Sequence, residues 1–430
     1  MTFSVAPSAP PWVERMSLHR WHAISGDCPD LELPVTAPGT RYLVDTDPAG
    51  DPQLNPARTL KERSRRMLGR RPKAPWYGTA GFSAITEAWN GAAYASRYGR
   101  SGSMIVFGGG HDDYFGSDVH AFDLASREWR RIMDGYVSGR DDEYGEGARY
   151  PDAVYPDGST LPPHTYDYVQ YDPSGNDYIL FKGQTELGPH VKAIAIPHLL
   201  NLDALQWRHG PRHPTAVLNS GGWTTWDTSR RQIWGHSGDD GGGNAFIGYS
   251  PDGDNGDGTF GRWTAHFPNK LPGIASHNAM QIDTMRDLII VSVHARDALY
   301  AIDPANPERE IVRLESTGPK PELQPYAALA YAPNLERLVY FSPLDRGIVY
   351  TIAGSQPRHL RDKLAMTWTW QAFVPPAETL DPIADAARRS RYPVNLSQTF
   401  GRFRIASFGA IDLALLVRHV DTPVYALRLT

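Results

Sequence analysis

The sequence predicts an all-β ring of four-stranded blades, a β-propeller, on three observations. Short apolar runs separated by tight turns fill the chain, with 40 Gly and 36 Pro among 430 residues, and segments of 3.6-residue periodicity are few. A unit of roughly 45–55 residues recurs, reading strand, turn, strand, loop, strand, then an outer strand often carrying Trp. The last unit is one strand short, and a matching strand stands at the other end of the chain.

The first unit runs from Trp89-Asn90-Gly91-Ala92 through Ser103–Phe107 and Asp118–Asp123 to Glu128-Trp129-Arg130-Arg131-Ile132. The second runs from His164-Thr165-Tyr166 through Tyr178–Gly183 and Ala193–Ile196 to Gln206-Trp207. The third runs from Gly222–Trp226 through Trp234-Gly235-His236 and Phe246–Tyr249 to Arg262-Trp263. The fourth runs from His277–Met280 through Val291–His294 and Leu299–Asp303 to Ile311-Val312, and the fifth from Tyr326–Leu329 through Leu338–Phe341 and Ile348–Tyr350 to Trp368-Thr369-Trp370. The sixth begins near Gln398-Thr399-Phe400, passes Leu413–His419 and stops at Val424–Leu429. Arg20-Trp21-His22-Ala23-Ile24 resembles Glu128–Ile132 in type and order, so an N-terminal strand is expected to complete the last blade and remove the open sheet edge. Six blades are expected, with room for a seventh in residues 26–83 or 133–163. Residues 1–80 then form an N-terminal extension holding the closing strand near 20–25, and residues 81–430 form the propeller.

Composition narrows the function classes. Charged residues are 21% of the chain and the formal net charge is −5, which does not suit a nucleic-acid partner. The basic run Lys61–Lys73 reads as a solvated segment. One cysteine, Cys28, excludes an internal disulfide. No stretch approaches the length of a membrane span. Met1–Ser17 lacks a basic n-region before an apolar h-region, so the expected location is the cytoplasm, a virion, or an exported protein whose leader has been removed. The Asp/Gly run Pro251–Gly258 fits a calcium loop only in part, with no late Glu, and reads as a turn between two strands.

Four apolar runs end at or near a histidine: His111, His236, His294 and His419. In a blade the first strand pairs antiparallel with the second, so the start of one and the end of the other share a rim. That register adds His164, His277 and Tyr326, with Asp112, Asp113, Tyr114 and Arg296 in the adjoining loops. Six of the 15 histidines therefore converge on one face. Repeats also duplicate structural residues, and a strand-end histidine bonded to a neighbouring carbonyl is the commoner reading of any single one. No H-x-H or HExxH spacing supports a metal site, and no cofactor is expected.

The run Phe107-Gly108-Gly109-Gly110, followed by Phe122-Asp123 and Trp129, resembles the kelch signature of the galactose-oxidase-like β-propeller superfamily. The likeness is at fold level, and the later units are degenerate. Copper radical oxidases of this fold need a Tyr–Cys crosslink, and Cys28 lies outside every repeat. The expected function is a binding module that presents a His/Tyr/Asp-rich rim to a glycan or protein partner, as part of a larger assembly such as a bacteriophage virion or a cell surface. Asp112, Asp113, Tyr114, His236, His294 and His419 are the expected ligand contacts. The alternative is a polysaccharide lyase acting on uronate glycans by β-elimination. His111, with His164 or His277, would then stand near the base and carboxylate positions, Tyr326 or Tyr114 would shuttle the proton, and Arg296 would meet the uronate carboxylate.

Overall fold

Along nearly every second strand of the repeats, side chains alternate between two apolar environments rather than between core and water. A strand buried on both faces needs a sheet packed on each side, and a computed structural model supplies this with six four-stranded antiparallel blades around an axis. The structure describes residues 7–25, 85–86, 89–109, 117–133, 150–184, 193–218, 221–237, 245–268, 277–342, 344–355, 363–389, 399–418 and 422–430. Cys28, the insertion at 26–80, the basic run 61–73, and site candidates His111, Asp112, Asp113, Tyr114 and His419 lie outside the described residues.

Blade 1 contains β2 (Ala92–Ala95), β3 (Ser103–Val106), β4 (Val119–Asp123) and β5 (Glu128–Met133). Blade 2 contains β6 (Val169–Asp172), β7 (Asp177–Leu180), β10 (His198–Asn201) and β11 (Gln206–His209). Its third strand is His198–Asn201 rather than the apolar run Ala193–Ile196. The start of that run, β9 (Ala193–Ile194), pairs with β8 (Gly183–Gln184) in a separate ribbon. Pro197 separates the two segments and has no N–H to give a ladder.

Blade 3 contains β12 (Trp223–Asp227), β13 (Gln232–His236), β14 (Phe246–Asp254) and β15 (Phe260–Phe267). The Asp/Gly run is the β14–β15 hairpin, in which Asp254 accepts from the Gly256 amide and Asp257 from the Thr259 amide. Blade 4 contains β16 (Ala279–Asp283), β17 (Leu288–Val293), β18 (Ala298–Ile302) and β19 (Val312–Arg313). Blade 5 contains β21 (Ala328–Ala332), β22 (Arg337–Phe341), β23 (Val349–Gly354) and β24 (Trp368–Phe373), with β20 (Ser316–Thr317) added parallel at its edge.

Blade 6 joins the two ends of the chain. β25 (Phe403–Phe408), β26 (Ile411–Leu416) and β27 (Tyr425–Arg428) are followed by β1 (Trp21–Ala23), with Trp21 opposite Leu427 and Ala23 opposite Tyr425. Trp21 is buried in the seam between blades 5 and 6, donates from Nε1 to the Gly347 carbonyl at 2.7 Å, and meets the Phe341 ring edge-on. The short helix α1 (Pro11–Glu14) drives Trp12 and Val13 into the seam between blades 6 and 1.

The core is six seams rather than one centre. Met104 and Val106 face blade 6, while Ile105 faces blade 2. Leu338 and Tyr340 face blade 4, while Val339 and Phe341 face blade 6. The six first strands touch one another in a closed circle. On the turns after them, Asp172 and Asp227 each accept hydrogen bonds from the backbone and hydroxyl of a serine two residues on. Arg231 reaches from blade 3 to Asp172 of blade 2, and Arg230 to Asp287 of blade 4, so these turns also tie adjacent blades.

Candidate functional site

Each blade enters its first strand through one residue in the left-handed backbone region: Trp89, Tyr166, Gly221, His277, Tyr326 and Phe400, with φ between 43° and 69°. Side chains rarely adopt this conformation, and five of the six positions hold a bulky ring. The backbone shows what holds them there. Tyr166 N donates to Trp89 O at 2.7 Å, His277 N to Gly221 O at 2.7 Å and Tyr326 N to His277 O at 2.9 Å, and Thr399 N and Oγ1 both donate to Tyr326 O. Blades 2, 4, 5 and 6 thus each hydrogen-bond to the blade before at the same level, through the carbonyl of its left-handed residue.

The side chains form a girdle at this end of the axis. His277 and Tyr326 have ring centroids 4.1 Å apart, Tyr326 and Phe400 5.2 Å, Tyr166 and His277 5.7 Å, and Tyr166 and Phe400 6.2 Å. Gly221 is the exception because the His277 imidazole takes its space. A Cβ there would stand 2.7 Å from Nε2.

The candidates read from the sequence divide. His277 and Tyr326 belong to the girdle. In blade 2 the equivalent position is Tyr166, and His164 stands two residues before it, 4.8 Å from the Trp89 ring and 6.3 Å from Tyr166. His294 follows β17 on the same rim. Its Nδ1 lies 2.9 Å from Asn278 Oδ1, which also accepts from the His294 amide. An amide oxygen only accepts, so Nδ1 carries the proton and Nε2 is left as the ring's acceptor.

His236 ends β13 as expected but is fully buried, stacked on Trp223 at 4.6 Å with an interplanar angle of 10°. Arg296 lies back over Tyr300 in its own blade. Burial pushes the imidazoles toward the neutral form: His236 to about 3, His277 to about 4 with His294 adding to the shift, and His294 below the ordinary value.

Sequence reasoning missed Lys182. It is buried, its Nζ lies 5.2 Å from the Tyr166 ring centroid and 5.7 Å from that of Tyr168, and it donates to the His164 carbonyl. In the sequence it stands only as part of the second unit's run Tyr178–Gly183. Tyr166, Trp89 and Phe400 were also missed, although all six units share a girdle position two or three residues before the first strand.

Below the girdle, Arg404 and Asp167 form a buried pair at 2.6 Å. Arg404 also donates to the carbonyls of Ala92 and Val169, so one side chain ties blades 6, 1 and 2. Burial pushes the Asp167 carboxyl up, opposed by the Arg404 charge and hydrogen bond. Among the described residues no group of three His, Cys, Asp or Glu side chains is placed to hold a metal ion, and no helix is long and apolar enough to cross a membrane.

No protein-family model matches the chain, and no curated protein does. Solved structures do. One from a nidogen–laminin complex has a TM-score of 0.36 at 13% identity, covering 65% of this chain and 84% of that one. A glutaminyl cyclase from Myxococcus xanthus has a TM-score of 0.30 at 9% identity, covering 56% and 86%. A protein of unknown function from Bacteroides thetaiotaomicron has a TM-score of 0.35 at 9% identity, covering 83% and 72%. The architecture rests on the chain's own strand order and register, which make it a six-bladed β-propeller.

Proposed function

We propose that the girdle end of the propeller binds a glycan chain. The observation that carries this is the set of rings held at one backbone level, with Tyr326 and His277 in contact and Trp89 beside His164. Aromatic faces take the apolar face of a sugar, and neutral imidazoles exchange hydrogen bonds with hydroxyls without a charge to desolvate. The propeller then serves as the binding module of a larger assembly, a virion or a cell surface. The test is affinity electrophoresis of the full chain through gels carrying neutral and uronate-containing polysaccharides. Retardation by at least one polymer, weakened in Tyr326→Ala at unchanged melting temperature, supports the reading. Uniform migration over the panel overturns it.

A second reading, a uronate lyase, is favoured by His294. Its Nε2 is the acceptor of a neutral imidazole, held by Asn278 beside His277, which is the state a base needs to take the proton α to a carboxylate. Lys182 is better placed than Arg296 to meet that carboxylate, since Arg296 is turned to Tyr300. Elimination leaves an unsaturated uronate that absorbs in the ultraviolet. A rise in absorbance that is lost in His294→Gln supports this chemistry, and a flat trace on every uronate polymer rejects it.

A further inference from the structure

The opposite end of the axis holds a separate cavity of about 510 Å³, lined by all six first strands. Four residues after each girdle position, the strands carry Ala93, Gln170, Thr225, Gln281, Ala330 and Arg404. Long polar side chains on blades 2, 4 and 6 therefore alternate with small ones on blades 1, 3 and 5. One residue further along, Tyr94, Trp226 and Tyr331 add ring surface to the wall.

The hydrogen bonds show which polar groups remain for a guest. Arg404 uses Nε and Nη2 on the protein, and Nη1 makes no hydrogen bond among the described residues. Gln170 spends its amide nitrogen on the carbonyl and hydroxyl of Thr224, which leaves Oε1 as an acceptor. Gln281 makes one long contact, from Nε2 to the Ile282 carbonyl at 3.4 Å. Donor and acceptor thus stand on different blades around one space, with aromatic surface between them. The guanidinium charge is already balanced by Asp167, so the site suits a neutral oxygen better than a second carboxylate.

We infer that this cavity is a binding site for a neutral, mono- to disaccharide-sized polyol. Its size lies within the roughly 300–1,000 Å³ of small-molecule pockets. The site is distinct from the girdle, and Arg404 and Asp167 stand between the two. It does not depend on the girdle binding anything.

The test is calorimetric titration of the full chain with neutral hexoses and their disaccharides, beside glucuronate and galacturonate. Saturable binding of a neutral sugar is expected, weakened about tenfold or more in Gln281→Leu at an unchanged melting temperature. Arg404→Lys should weaken it too, and Tyr326→Ala, at the girdle, should leave it intact. The inference is overturned if no neutral sugar binds at about 10 mM, if Gln281→Leu binds as the wild type does, or if a uronate binds more tightly than its neutral parent. Loss of binding in Tyr326→Ala would assign the sugar to the girdle and also overturn it.

Discussion

The His277 amide donates to the Gly221 carbonyl at 2.7 Å, and the His277 ring fills the space that a side chain at residue 221 would need. Blade 3 gives up its own ring so that blade 4 can place one. Gly221→Ala is expected to displace His277 and to cost at least the ~1 kcal/mol of a left-handed backbone at a non-glycine residue. Thermal melts measure the cost. Polysaccharide retardation should fall further than in a surface variant of equal stability.

Closure through β1 makes Trp21 expensive to lose. It is 1% exposed, and both its ring and its N–H are engaged. Trp21→Ala is expected to destabilise the ring by about 3–5 kcal/mol. A denaturant midpoint close to that of the wild type would show that the closing strand contributes little.

The buried Arg404–Asp167 pair is expected to couple strongly. Removing either partner leaves the other charge buried, at a cost of about 3–5 kcal/mol. Asp167→Leu with Arg404→Met together should cost less than the two single changes added, with a coupling of about 1–3 kcal/mol. Strict additivity in the double-mutant cycle would rule out the direct interaction.

Acid should loosen the fold through its histidines. In the folded chain His277 stays neutral down to about 4 and His236 down to about 3. In the unfolded chain both take up a proton below about 6.5. The unfolded state therefore binds more protons across that window, and stability falls as pH drops from about 6.5, by up to ~1.4 kcal/mol per pH unit per histidine. His236→Phe keeps a ring on Trp223 and removes one titrating group, so its melting temperature should fall less steeply between pH 6.5 and 5. An unchanged slope would show that His236 does not titrate between the two states.

The fold was legible because each blade repeats the same buried-on-both-faces second strand, and because Arg20–Ile24 copies the outer strand Glu128–Ile132 while the last unit lacks one. Register was harder. Ala193–Ile196 is more apolar than His198–Asn201, yet the histidine-led segment is the strand, with His198 opposite His209 across the ladder and their Nδ1 atoms 2.8 Å apart. The rim was legible as a shared end of two strands, which is a property of the ladder. Which rim residue turns to the axis was not, because that depends on a left-handed turn that Tyr166, His277 and Phe400 do not announce. Nor does any spacing between residues 167 and 404 reveal that they meet. The circle brings them together.

The pairing of Trp21 with Leu427 sets an order of events during synthesis. The ribosome releases β1 before the other described strands, and its partner β27 after them. The first strand must therefore wait, unpaired, while the five intervening blades form. Blade 6 is assembled last from the longest-range strand pairing among the described residues, a step that is slow in proportion to the chain it must enclose. Until then Trp21 and the faces of β26 are exposed apolar surface, so a chain stalled before residue 427 is an open arc with two adhesive ends.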